Sequence, residues 1–296
     1  MAFFSGFSGS FKSGRRSKAF KNNEIPWDPS SDITPVAWID ASDSLSYTAS
    51  GSTLISVIDK SGTYDMTVGG APTVGTTQNG LNVFSFNGNN EFLKSNSYSY
   101  QSSSGNHWAI GVFRFDSIDS NKDSFWSYET DGSPKRDYAI SSSNSNNIWP
   151  GELDLDGLNS KRISSSISDS QTWDLKSPSR YQYHIVCCYF NKSGNQIGVR
   201  ADGFDAFTPV NDYDNSLQTN QELRLMRNRS GQELEGKLAE FFAVADIPGT
   251  GGTDISNIEK AEGYLAHKWN GSVGGPNALL DRLNSSHPYK SYAPTG

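Results

Sequence analysis

Two cysteines in 296 residues, adjacent at Cys187-Cys188, leave no disulfide framework and no cysteine-based metal knot. Neighbours on a strand point to opposite faces, so a bridge between the two would be strained. They read as small hydrophobes inside the apolar run HIVCCYF. The four histidines, at 107, 184, 267 and 287, show no metal-ligand spacing. No G-x-S-x-G occurs, which removes the strained elbow a Ser-His-Asp hydrolase needs. No segment has the length and apolarity to span a bilayer, and the N-terminus carries no apolar run of signal-peptide length. The expectation is therefore synthesis in a reducing cytoplasm, with no membrane insertion.

Helical periodicity is also scarce. One stretch shows it, and the rest reads as strands and Ser/Asn/Gly-rich loops. Hydrophobic residues make up only 34%, yet 36 residues are Phe, Trp or Tyr. Few but large apolar groups suit a sandwich core, and all-β sandwiches commonly occupy roughly 200–250 residues as one domain. Strands are expected at Val36–Asp40, Leu54–Lys60, Leu81–Phe86, Phe92-Leu93, Trp108–Phe115, Phe125–Tyr128, Tyr181–Phe190 and Gln196–Arg200. Asn87-Gly88, between two apolar runs, is the strongest hairpin signal, with Phe92-Leu93 returning on the partner strand.

The stretch from Leu223 to Trp269 organises the C-terminal part. Leu223 and Leu225 alternate, Arg229 to Gln232 turns, and Leu234 to Ala245 forms an apolar strand. Glycines at 249, 251 and 252 then break the backbone before a helix at about 256–270. Ser256 with Glu259 makes a capping-box pattern, and Ile258, Ala261, Leu265 and Trp269 form one apolar stripe.

Charge is unevenly placed. Before Glu24 there are five basic residues and no acids, leaving 20 basic and 32 acidic residues in the remainder. An acidic body argues against nucleic-acid binding. Residues 1–32 form an extended arm that cannot build a core by itself, attached to a body at 33–296. Phe3, Phe4, Phe7, Phe11 and Phe20 supply anchors, and Lys12, Arg15, Arg16 and Lys18 supply charges for acids on a partner or a neighbouring copy. The expected role is docking into a larger assembly.

The succession FNGNNEFL, WAIGVFRF, YHIVCCYFNKSGNQIGVRADG and LRLMRNRSGQELEGKLAEFFAVAD resembles the concanavalin A-like, laminin-G-like jelly-roll domains. In that family a strand ending in xVDG precedes a strand carrying GR and then GxIAEVxVY. Here these are VRADG, LMRNR and GKLAEFFAV. The ending IEKAEGYLAHKWN and LLDRLNSSHPYKSYAP resembles the C-terminal cap of a subgroup common in marine phage and bacterial sequences. The resemblance covers about residues 33–293. It implies two curved antiparallel sheets, with the helix covering an open edge or end and His267, Trp269 and His287 closing the fold. For function it implies a non-enzymatic virion protein, a capsid decoration or tail- or neck-associated component, with other virion proteins and copies of itself as partners.

Three chemical alternatives stand beside that. Glu152, Asp154 and Asp156 alternate as do the carboxylates of laminarinase-type glucanases of the same superfold. Retaining hydrolysis needs two carboxyls about 5–5.5 Å apart, and here the last Glu of the pattern is missing. Sugar binding asks for aromatic faces beside hydrogen-bonding groups, which makes Trp126, Tyr128, Arg136, Trp149 and Trp173 the glycan-site candidates. No cofactor is implied, though the resemblance allows a calcium ion, for which Asp116, Asp119, Asp123 and Asp202 are the available carboxylates.

Overall fold

The structure is a computed structural model, and it describes residues 27–96, 107–116, 125–129, 140–141, 152–153, 181–191, 196–205, 222–227, 233–245, 255–272 and 278–295. Helix α1 (Pro29–Asp32) precedes β1 (Ala37–Asp40), β2 (Tyr47–Ser50), β3 (Thr53–Val57), β4 (Met66–Gly69), β5 (Thr73–Gln78), β6 (Leu81–Asn87), β7 (Phe92–Ser95), β8 (His107–Phe115) and β9 (Trp126–Glu129). Then follow β10 (Ile140–Ser141), β11 (Glu152–Leu153), β12 (Tyr183–Asn191), β13 (Gln196–Ala201), β14 (Phe204–Asp205), β15 (Glu222–Leu225), β16 (Glu235–Ala245), α2 (Ile255–Lys268) and α3 (Leu279–Arg282). The fold is an all-β antiparallel sandwich with a C-terminal helix.

One layer runs β14-β13-β12-β8-β16-β6-β5, with β1 also on β16. The other runs β3-β4-β7-β15-β9, with β2 on β3. A single pairing, Thr53 opposite Thr73, joins them, so the hydrogen-bonded path curls from one layer into the other. Between the layers lies a core of Phe84, Phe86, Phe113, Val186, Cys188, Leu238 and Phe241 from the first, with Leu54, Met66, Leu93, Trp126, Leu223 and Leu225 from the second.

A second core covers the outer face of the first layer. Tyr183, Ile185, Cys187 and Tyr189 of β12 belong to it, while Val186 and Cys188 face the inner core. The two cysteines therefore lie on opposite faces, both buried and neither in a disulfide. A strand buried on both sides reads as a continuous apolar run, which explains HIVCCYF and WAIGVFRF. Those runs need a cover, and α2 supplies it with Ile258, Ala261, Leu265 and Trp269. The expectation that the helix closes an edge or end of the sandwich is thus corrected: it packs on a face. It also begins one residue before Ser256, which places Ser256 inside the first turn rather than at the cap.

The Asn87-Gly88 hairpin does not form. Strand β6 pairs with β5 and β16, whereas β7 pairs with β4 and β15. Local turn chemistry is satisfied: Gly88 has φ of +70°, and the Glu91 carboxylate accepts the Asn87 N–H at 2.6 Å. With both edges of β6 occupied, the turn instead hands the chain from one layer to the other. Strands β2, β4 and β5, rich in Thr and Gly and largely exposed or half-exposed, carried no alternation strong enough to predict.

Residues 27–32, at the end of the arm as read from sequence, lie on the body. Asp28 caps α1 by accepting the Ser30 N–H at 2.7 Å. Trp27 is buried against Tyr264 with ring centroids 5.4 Å apart, and its backbone N–H donates to the Pro294 carbonyl at 3.2 Å.

Candidate functional site

The densest chemistry lies in the seam between α2 and the sheet. Asp40 and Glu240 are direct cross-strand partners on β1 and β16. A bulge after Leu238 turns Glu240 to the helix side, where it is fully buried. Its Oε1 accepts from Trp38 Nε1 (2.9 Å) and the Tyr264 hydroxyl (3.2 Å), and its Oε2 from Lys268 Nζ and Trp269 Nε1, both at 2.7 Å. Lys268 also reaches Asp40 at 2.9 Å, and Lys60 meets Asp40 and Asp43 at 3.1 and 3.0 Å. Burial pushes Glu240 above the usual carboxylate range, with Lys268 offsetting only part of it. For Asp40, burial is outweighed by Lys268, Ser42 and Lys60, which hold it low. Lys268 is raised: burial works against its charge, but the two carboxylates prevail.

A second cluster fastens the C-terminal segment. The Asp202-Gly203 turn joins β13 and β14 with both residues at positive φ, +49° and +76°. Asp202 Oδ2 lies 2.7 Å from His184 Nδ1, and its Oδ1 accepts the Ile185 N–H at 2.8 Å. Arg200 makes a two-pronged pair with Glu262 of α2, at 2.9 and 3.0 Å, and His287 Nε2 is 3.1 Å from the same carboxylate. Gly263 has no side chain where the Tyr289 ring packs on α2; a Cβ there would overlap it. His267 bonds the Tyr289 carbonyl at 2.9 Å.

A His–Asp pair and clustered carboxylates resemble acid–base machinery, but a catalytic base must reach a substrate proton. His184, Asp202, Glu240 and Glu262 are each at most 3% exposed, and both oxygens of Asp202, Glu240 and Glu262 are engaged. What this arrangement does is bind helix and C-terminal segment to the sheet. Glu240 carries a sequence signal, an isolated carboxylate within the apolar run LAEFFAV; Glu262, with Glu259 and Lys260 just before it, carries none beyond its place next to Ala261 on the apolar stripe of α2.

The Asp202 pair gives a pH prediction. Burial alone would raise Asp202, but His184, Arg282 and the Ile185 N–H hold it below its ordinary 3.8. A depressed folded value means a contribution present above pH 3.8 and lost as pH falls through the folded value. Asp202→Asn tolerates the left-handed backbone and keeps the Ile185 acceptor. It should therefore lower stability at neutral pH and flatten the acid limb of a urea-midpoint-against-pH curve; an unchanged acid limb would refute the assignment.

The glycan candidates disperse. Trp126 is 1% exposed, stacked on Phe113 (5.6 Å) and tilted against Phe241 (5.5 Å), so it is a core residue and offers no face to a sugar. Tyr128 lies opposite Leu223 in the β9–β15 register. Arg136, Trp149 and Trp173 are outside the described residues, as are Asp154 and Asp156 and the whole Phe- and Lys/Arg-bearing part of the arm; Glu152 begins β11, paired with β10. Of the calcium candidates, Asp116 pairs with Arg114 Nε at 2.5 Å and Asp202 with His184, while Asp119 and Asp123 are outside the described residues. Among the described residues no group of three His, Cys, Asp or Glu is placed to hold a metal ion.

No family model and no curated protein matches the chain. Among solved structures, the binding domain of Paraclostridial Mosquitocidal Protein 1 matches with a TM-score of 0.52 and 12% identity over 77% of this chain and 52% of that one. Domain 4 of AbnA, a GH43 extracellular arabinanase from Geobacillus stearothermophilus, in complex with arabinotriose, matches at 0.47 and 14% identity over 68% of this chain and 89% of its own. The Trypanosoma rangeli sialidase in complex with sialic acid matches at 0.48 and 11% identity, over 85% of this chain and 37% of the sialidase. This chain thus spans about half of the mosquitocidal binding domain and little more than a third of the sialidase. The first likeness supports the β-sandwich as a fold, and the other two add no argument to it.

Proposed function

We propose that this chain is a non-enzymatic structural protein of a virus particle, of the marine-phage type its C-terminal cap resembles. The arm holds it to capsid, neck or tail, and a lectin-like sandwich is turned outward. The observation that carries this is where the chain enters the fold. Trp27, the first residue after the basic, Phe-bearing segment, is seated on α2 beside Pro294, on the helix-covered side. The second layer, with its outer ladder of Lys94, Glu222 and Arg224, lies on the opposite side of the sandwich. A basic arm on an acidic body divides anchoring from display.

The test separates arm from body at the structural boundary. A chain lacking residues 1–26 should fold with stability within about 0.5 kcal/mol of the full chain yet fail to co-sediment with particles from the producing host. A chain lacking 1–32 also loses buried Trp27 and should be weaker by about 3–5 kcal/mol. Full-occupancy incorporation of the shorter truncation would sink the arm reading.

The second reading is a glycan-binding module, favoured by the likeness in fold to a domain described as a binding domain. A glycan array with the full chain, and with Trp149→Ala and Trp173→Ala, tests it. Binding lost in either variant supports a lectin; a blank array counts against it.

A further inference from the structure

Beyond the end of α2, the outer face of the first layer carries a transverse polar row. The registers place Tyr183 opposite Arg114, Arg114 opposite Lys237, and Lys237 opposite Ser85 across four adjacent strands. Strand spacing of about 4.8 Å sets the two cations side by side. Lys237 is 8% exposed and donates to Ser85 Oγ at 3.0 Å. Among the described residues no carboxylate lies within ion-pair reach of it. The nearby acid, Asp116, is committed to Arg114 Nε, and Glu235, two residues before Lys237 on β16, is exposed. Burial and then the Arg114 charge work against its ammonium, lowering its pKa. Arg114 lies over the Tyr183 ring, 5.7 Å from its centroid, and the Tyr183 hydroxyl is buried with no hydrogen-bond partner. Natural folds rarely keep a near-buried ammonium with no ion pair, and an orphaned hydroxyl on the other side of an Asp116-paired guanidinium, without something for them to bind.

We infer that Lys237, Arg114 and Tyr183 form a binding site for one oxyanion group, a carboxylate, sulfate or phosphate carried by a ligand. The ammonium and guanidinium supply charge, and Arg114 turns from the phenol face to the anion as the Tyr183 hydroxyl becomes a third donor. Ser85 holds the Lys237 ammonium at the rim.

Calorimetric titration of the full chain with inorganic sulfate, against chloride at equal ionic strength, should show saturable binding. Lys237→Met should abolish it, and Tyr183→Phe should weaken it about tenfold, the size of one charge-assisted hydrogen bond. Without anion, Lys237→Met should be as stable as the parent or more so, because burial and the Arg114 charge outweigh what Asp116 gives the Lys237 ammonium. A purely structural lysine would give a loss. A sulfated oligosaccharide and its desulfated counterpart separate the sources. Preference for the sulfated form places the anion on a glycan, and equal indifference with sulfate still bound points to a free small anion. Absence of saturable binding to either probe, or binding unchanged in both variants, overturns the proposal.

Discussion

Replacing Lys268 by Met should destabilise the fold by about 3–5 kcal/mol, the range for removing one partner of a buried ion pair. Lys268 lies between two carboxylates, 2.9 Å from Asp40 and 2.7 Å from Glu240, and its side chain is only 19% exposed. Without it, two acids face each other across paired strands, and Lys60 reaches Asp40 and Asp43 without an ion pair to Glu240. Adding Glu240→Gln should restore part of the loss, since the amide removes a charge and keeps an oxygen for one Trp N–H. A double-mutant cycle by urea denaturation reads the coupling; strictly additive losses would show that Lys268 does not work through Glu240. The deficit should also depend on pH. Glu240 already sits above the usual carboxylate range and climbs further once its counter-charge is gone. A raised folded value means that the folded state takes up a proton first, so stability rises as pH falls through it. The Lys268→Met deficit should therefore narrow as pH is lowered from neutral through the folded value of Glu240.

The sandwich was legible because its strongest strands carry their own evidence. Cys187 and Cys188 sit in a run apolar on both faces, and the structure sends one to each core. That same run held the clue to the position of α2: a strand buried on both sides requires a second cover, and the stripe of Ile258, Ala261, Leu265 and Trp269 is the apolar surface available for it. Asn87-Gly88 misled for a physical reason. Turn propensity fixes the local backbone, whereas pairing is settled by which strand edges are free, and those of β6 are taken by β5 and β16. The seam was harder to see. Asp40 and Glu240 are 200 residues apart and meet only through the β1–β16 register. The sequence offered an isolated Glu in LAEFFAV but nothing to say which cation would answer it. The oxyanion row is equally non-local, with one side chain from each of four strands.

Trp126→Ala should cost about 3–5 kcal/mol and leave any glycan binding per folded molecule unchanged. The side chain is among the largest that are fully buried, packed on Phe113, Phe125 and Phe241 between the layers. Deleting it removes aromatic contact with both layers at once, because Phe113 and Phe241 belong to β8 and β16 whereas Trp126 belongs to β9. The cavity cannot collapse fully, since β9 is held in register by β15 through four paired residues. Trp126→Phe fills more of that space and should recover much of the loss, which a sugar-stacking role would also permit. Stability and binding must therefore be measured together. A large fall in urea midpoint with normal binding at low temperature places the residue in the core. An unchanged midpoint with binding abolished would place it at a ligand face, and would require β9 to present Trp126 outward, opposite to Leu223 and Leu225 of its partner strand.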